Sequence, residues 1–493
     1  MSKNVMKKFI KSYQSSNPEK FNLDLINSKS KDNIVQLIAD NCKTLEILDG
    51  IKFIGCYSRE FSYPKIKSSK ERPIELDLDE SRLFEIVINF KLKKGEEECN
   101  IEKILYFPIL LENTYFLING NKYYPVWQLV DSETYRTKAG VVQKTMIMPN
   151  KFANEKSSLV DYYERINIST RTIIHEIFKQ KLSPFAYFFA KMGVSETLKY
   201  FDINDKVSFI NENQCSEDDD FYIFKISKDT FLKVDKYWFD EDINNRSILI
   251  STLLSTFKKR IIFSKIYENE YWMRQLGSNF TKNNSNHLEK AQSILSSLER
   301  ILDNSTKRFL RIPASDKENI YAVNRWIILN YYNLLKQDNM DLANKRLRLY
   351  EYLMYPLSAK FSKAASRILN SKNVTLSTLK TVFSNIDKGF LIKEIMNNSL
   401  IRYMNAVNTA ADLPTKLKGS TAGPQSQSES GGASIKSKTL HESMLGRIDI
   451  CATSSGDPGT SFSICPFCKI TNTFNFTEKP NLDVNLDDEE DDE

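Results

Sequence analysis

Between Phe84 and Leu92 the apolar side chains Phe84, Ile86, Ile88, Phe90 and Leu92 alternate with Glu85, Asn89 and Lys91, and only Val87 is out of step. A period of two predicts a half-buried strand. Tyr115 to Ile118 makes a second β-favouring run, and Tyr123, Tyr124, Val126 and Trp127 make a third; Asn119-Gly120 lies between them. Asn-Gly supplies the positive φ of a two-residue hairpin turn, so this segment is predicted to fold back on itself. From about residue 160 the period lengthens. Leu288, Ala291, Ile294, Leu295, Leu298, Ile301 and Leu302 recur at steps of three and four, the stripe of an amphipathic helix. The same spacing links Leu347, Tyr350, Leu353 and Met354. Strand over 80–150 followed by a mainly helical middle gives an α+β fold class.

A chain of 493 residues exceeds what one hydrophobic core organises, which predicts two to four structural units. A hydrophobic fraction of 41% with 15 Gly and 14 Pro excludes collagen-like and wholly disordered classes. Two segments are exceptions. Residues 419–438 hold no large apolar side chain except Ile435 and are predicted to be a long loop. The seven residues Asp487 to Glu493 are all acidic, and such a run stays solvated. The net charge of +6 includes those seven carboxylates, so residues 1–486 carry +13. That excess fits a polyanion partner. No secretory signal or membrane-spanning apolar run is present, and seven scattered Cys suit a reduced compartment rather than a disulfide framework.

Candidate metal chemistry is sparse. Glu217, Asp218, Asp219 and Asp220 are consecutive and lack the alternating spacing and Gly turn of an acidic metal loop, so they read as a solvated loop. Cys465 and Cys468 form a single CxxC, which supplies two of the four donors of a structural zinc; Cys451 and His441 are the residues that could complete it. Ordinary thiols are the alternative, and the one preferred for this pair.

Five stretches, in order along the chain, resemble the N-terminal half of the β subunit of multisubunit DNA-directed RNA polymerases. FLINGNKYYPVWQL (Phe116 to Leu129) resembles the family's strand-turn-strand, and KQKLSPFAYFFAKMGVSETLKYF (Lys179 to Phe201) its KLP segment. DLANKRLRLYEYL (Asp341 to Leu353) is similar to its arginine-rich return. NNSLIRYMNAVNTAADLPTKLKGSTAGP (Asn397 to Pro424) matches without a gap the segment that forms the rifamycin pocket and enters the fork loop. LHESMLGRID (Leu440 to Asp449) resembles the HYGR motif, and TSSGDPG follows where the family has TPEGPN, with Ser455 in place of Glu.

The resemblance implies a protrusion built from 1–135 and 345–397, a mainly helical lobe at 140–338, a fork region at 398–475 and a disordered acidic tail at 476–493. It places Arg402, Asn405, Lys416, Lys418, Ser420, His441 and Arg447 nearest nucleic acid, as phosphate-neutralising cations and hydrogen-bond donors. A solvated basic face is the plain alternative for Lys416 and Lys418. The catalytic Asp-rich loop of the family is absent, so the chain is expected to have no catalytic residue and no metal of its own, and to be inactive alone; the Mg2+ of the assembled enzyme would sit on another subunit. Implied partners are the C-terminal part of a split β-like subunit, a β′-like subunit that is also split, template DNA with the RNA–DNA hybrid, and a promoter-specificity factor, with no membrane. The split arrangement resembles that of giant bacteriophages, which implies the host cell cytoplasm or a virion. Arg402, Asn405 and Thr415 stand where bacterial enzymes present Gln, Asp and His to rifamycin, while Ser420 keeps the family's Ser, so drug resistance is expected. The rival readings are a non-catalytic β-like regulator binding DNA or a host polymerase, and a self-sufficient enzyme, which the missing metal loop argues against.

Overall fold

The computed structural model describes residues 30–476 apart from 49, 62–79, 112–114, 146–147, 216–218, 228–229, 258–262, 282–285, 370–374, 385, 404–414, 424–439, 450–460, 466–467, 469 and 472–473. The acidic tail, Asn405, Cys451, Ser455, Glu217 and Asp218 therefore lie outside the described residues. The chain divides into two compact units, the first made of Met1–Ser132 with Asp338–Glu493 and the second of Glu133–Gln337.

The first unit begins with helix α1 (Ser30–Lys43), which buries Ile34, Leu37, Ile38 and Cys42 at helical spacing. Strands β1 (Ile51–Glu60), β2 (Leu83–Lys94) and β3 (Glu97–Pro108) follow as an antiparallel meander. The alternating run lies on β2, but that strand is not half-buried: every residue from Leu83 to Ile88 is buried, Glu85 included. Glu85 tolerates this because the Arg59 guanidinium on β1 donates to it. Strands β4 (Leu110–Leu111), β5 (Tyr115–Ile118), β6 (Asn121–Pro125) and β7 (Trp127–Asp131) complete this part. The Asn-Gly hairpin forms as expected: β5 pairs with β6, with Ile118 opposite Asn121, and the turn residues have φ of 50° and 72°.

In the second unit, β8 (Thr134–Arg136), β9 (Gly140–Gln143), β10 (Asn150–Val160), β11 (Asn167–Ile177) and β12 (Gln180–Leu182) form one antiparallel sheet in the order β12-β11-β10-β9-β8. This corrects the expected onset of helix near residue 160, because the long β10–β11 hairpin occupies that region and helix starts only at Pro184. The reason is chemical. The face of β11 that should show an apolar alternation buries Thr170 and Thr172, whose hydroxyls bond Ser247 (3.0 Å) and Ser251 (2.5 Å). Helices α2 (Pro184–Met192) and α3 (Val194–Tyr200) come next, and then the three-stranded sheet of β13 (Val207–Asn211), β14 (Phe221–Lys225) and β15 (Thr230–Asp235) with β15 at its centre. Among the described residues the helices α4 (Lys236–Glu241), α5 (Ile243–Ser255), α6 (Asn269–Ser278), α7 (His287–Glu299), α8 (Asn304–Phe309), α9 (Ile320–Leu329) and α10 (Tyr331–Lys336) follow. The predicted stripe is that of α7, which buries Ala291, Ile294, Leu295 and Leu298, while Ile301 and Leu302 are buried just beyond its end.

The chain then returns to the first unit with β16 (Lys345–Arg348), α11 (Glu351–Leu369), α12 (Leu376–Ser384), α13 (Phe390–Asn397), β17 (Ile401–Tyr403), β18 (Lys418–Ser420), β19 (Ile448–Asp449) and β20 (Ser461–Ile464). Two sheets result, β16-β7-β18-β20-β19 and β17-β6-β5-β4. The helical spacing read across Leu347 to Met354 is corrected here, since Leu347 lies on β16 and Tyr350 turns the chain with φ of 64°, leaving only Leu353 and Met354 on α11. All four side chains are buried, so a strand followed by a helix against one core mimics a helical stripe. The loop expected over 419–438 is corrected only at its start, and residues 424–438 lie outside the described residues. Gly419 and Ser420 belong to β18, which pairs with β7 and β20.

Candidate nucleic-acid interface

The residues of interest stand on β17 and β18 and on the turn before β19. Arg402 lies opposite Tyr124 in the β17–β6 pairing and is half-buried. Lys418 opens β18, also half-buried. Burial, and then the charge of Arg402, push the Lys418 ammonium below its ordinary pKa. Among the described residues neither cation has a carboxylate partner. Two like charges are thus held near one another, partly stripped of water and uncompensated, an arrangement that an incoming anion relieves.

The backbone around them is fixed by a chain of hydrogen bonds. The Trp127 indole donates to the Lys416 carbonyl (3.1 Å), and Gln128 Nε2 donates to the Ala422 carbonyl (2.9 Å) while its Oε1 accepts from Arg348 Nε (2.6 Å). Ser420 Oγ accepts from the Ala422 N–H (3.1 Å). Gly423, at φ of 111°, passes so close to Gln128 and Leu400 that a Cβ would meet both at 2.9 Å. Lys416 itself is half-buried and Thr415 is buried. Residues 415–423 form a hydrogen-bonded stem that carries Lys418.

His441 and Arg447 are occupied locally. His441 Nδ1 takes the Ser443 N–H (3.2 Å) and lies 2.7 Å from its hydroxyl, so Nε2 carries the proton and faces Asp338 at 3.5 Å. Ser443 Oγ accepts from the Leu342 N–H (2.9 Å), and Arg447 Nη1 donates to the Ser443 carbonyl (2.8 Å). Gly446 completes the turn at φ of 71°. Both side chains therefore hold a loop in shape. The structure joins Arg402, Lys418 and Ser420 around the stem, and keeps His441 and Arg447 on their own turn.

Two residues at this surface escaped the reading of the sequence. Lys122 sits two residues before Tyr124 on β6, with its ammonium 4.5 Å from the Tyr115 ring centroid. Tyr403, next to Arg402, is 57% exposed and lies edge-on to Tyr123 at 6.0 Å. Only the β17–β6 register reveals them. The arginine-rich stretch Lys345 to Arg348 goes the other way, because every one of its residues is buried. Cys465 is half-buried, Cys468 packs in the apolar core, and the Cys468 N–H donates to the Cys465 carbonyl (3.0 Å). Among the described residues no three His, Cys, Asp or Glu gather as a metal site, and Asp219 and Asp220 are exposed.

A family model described as "Non-virion RNA polymerase subunit" matches residues 1–492. The chain belongs to that family. As a non-virion RNA polymerase subunit it works with other polymerase subunits in the infected host cell, and the assembled complex is a nucleotidyltransferase. Comparison with curated proteins gives no match. No described helix of the subunit is long and apolar enough to cross a membrane.

Proposed function

We propose that this polymerase subunit is the N-terminal, β-like half of a split large subunit, lining the cleft that holds template DNA and the RNA–DNA hybrid. The reading rests on the five ordered stretches of β resemblance, and the observation that carries it is the uncompensated pair Arg402 and Lys418 beside a hydrogen-bonded stem. Cations there neutralise backbone phosphates without reading sequence. Under this reading the protrusion, lobe and fork are those named above. The Mg2+ ions of nucleotidyl transfer belong to a β′-like subunit, promoter choice to a separate factor, and the enzyme is that of a bacteriophage acting in the host cytoplasm. Arg402 and Thr415, at positions of the rifamycin pocket, alter its hydrogen-bonding chemistry and make the enzyme resistant.

The test uses the assembled polymerase carrying Arg402→Gln with Lys418→Gln. Affinity for a preformed RNA–DNA scaffold should fall by about tenfold for each charge removed. Unchanged affinity would end this reading.

A further inference from the structure

We infer that Lys122 is a third phosphate-binding cation, which extends Arg402 and Lys418 into a row that follows one nucleic-acid strand over successive phosphates. The inference rests on the nucleic-acid reading of those two residues and goes beyond it. Arg402 lies opposite Tyr124, and residues directly opposite on antiparallel strands share a face. Lys122, two residues from Tyr124, is on that same face, where diagonal neighbours stand about 7–8 Å apart. Lys418, at the start of β18, feels the charge of Arg402.

Below the row is an aromatic floor. Tyr115 and Tyr124 are both buried, with ring centroids 5.5 Å apart, and Lys122 lies over Tyr115. The stem of the lysine is thus held against the sheet and its ammonium is kept at the surface. Among the described residues Lys122, like Arg402 and Lys418, has no carboxylate partner. A cation kept for stability alone is normally paired or fully solvated; three unpaired, half-buried ones in a row fit a polyanion whose charges repeat at a fixed step. The contacts are to phosphate, so the row does not read bases.

The experiment measures binding of the assembled polymerase to single-stranded oligonucleotides, one arm DNA and one arm RNA, across a salt series. Lys122→Met keeps the aliphatic stem over Tyr115 and removes only the charge; Arg402→Gln and Lys418→Gln serve as references, and Lys122→Arg as the charge-retaining control. Each neutralisation should lower the slope of log affinity against log salt by about 0.7, with Lys122→Arg at the parental slope. The arm that shows the change identifies the strand. A parental slope for Lys122→Met beside lowered slopes for the two references would overturn the inference and leave the cleft reading intact. Parental slopes for all of them would remove both.

Discussion

Strand β16 in the first unit and strand β11 in the second both bury polar side chains where a core strand usually buries apolar ones, and they satisfy them with opposite chemistry. On β16 the groups are charged. Arg346 forks onto both oxygens of Glu351 (2.8 and 2.7 Å), Lys345 meets Asp131 (2.8 Å), and Arg348 reaches Gln128 (2.6 Å) and Tyr355 (2.5 Å). On β11 they are neutral. Thr170 and Thr172 bond serines one turn apart on α5, and Thr252 of the same helix accepts the Ile173 N–H (3.0 Å). His175 continues the pattern. Asn150 donates to Gln143 and to Asn324 (2.8 Å each), so its carbonyl oxygen accepts from His175 Nε2, and Asn324 donates to Tyr187 (2.9 Å). Charge pairs specify partners strictly and fail severely when one member is lost, whereas neutral networks lose one modest bond at a time. Of the two strands, β16 borders the stem through Gln128, which suits a place where backbone position matters.

The largest expected effect breaks a pair on β16. Glu351→Ala removes the carboxylate that accepts both forked bonds of the buried Arg346 and should cost about 3–5 kcal/mol in denaturant unfolding, while the double change Arg346→Met with Glu351→Leu should cost far less. Equal costs would mean that the fork is not desolvated and that the contrast between the strands is false.

Acid tests the neutral network. Burial strips water from the charged ring and pushes His175 down to about 3, and among the described residues Nδ1 has no hydrogen-bond partner. The folded pKa lies below the unfolded one, so the stability from this group is complete above about pH 6.5 and is lost as pH falls toward 3. The loss is about 1.4 kcal/mol per pH unit, or roughly 2 kcal/mol at pH 5. Unfolding measured against pH should show this slope, and His175→Leu should remove it. A slope that survives the substitution assigns the acid sensitivity elsewhere.

The smallest effect concerns the hydroxyl ladder. Thr172→Val alone strands the Ser251 hydroxyl and should cost about 1–2 kcal/mol, and adding Ser251→Ala should recover part of that. Strictly additive costs in this double-mutant cycle would show that the two hydroxyls are not coupled.

Much of the architecture was legible wherever the signal was local. The Asn119-Gly120 hairpin depends on two residues able to adopt positive φ, and α7 displays its stripe within its own sequence. β11 was hidden because Thr170, Thr172 and His175 are buried alongside Ile173 and Ile177, and those three polar residues break the apolar period. The stretch Lys345 to Arg348 looks solvent-facing for the converse reason: its counter-charges Asp131 and Glu351 are brought to it by folding. At the candidate interface, resemblance named Arg402 and Lys418, but nothing in the order of residues says that the charge of Arg402 acts on Lys418 or that Lys122 shares the face of Arg402.

The sequence by itself determined that this chain is α+β, that Asn119-Gly120 turns the chain, and, through its match to the family over residues 1–492, that it is a subunit of a non-virion RNA polymerase. Only the tertiary structure decided which polar residues are core and which are surface. Periodicity records a side chain's own affinity for water, whereas the fate of a charge or a hydroxyl depends on the partner set opposite it, and Asp131, Gln128, Ser247 and Ser251 supply those partners from distant parts of the chain.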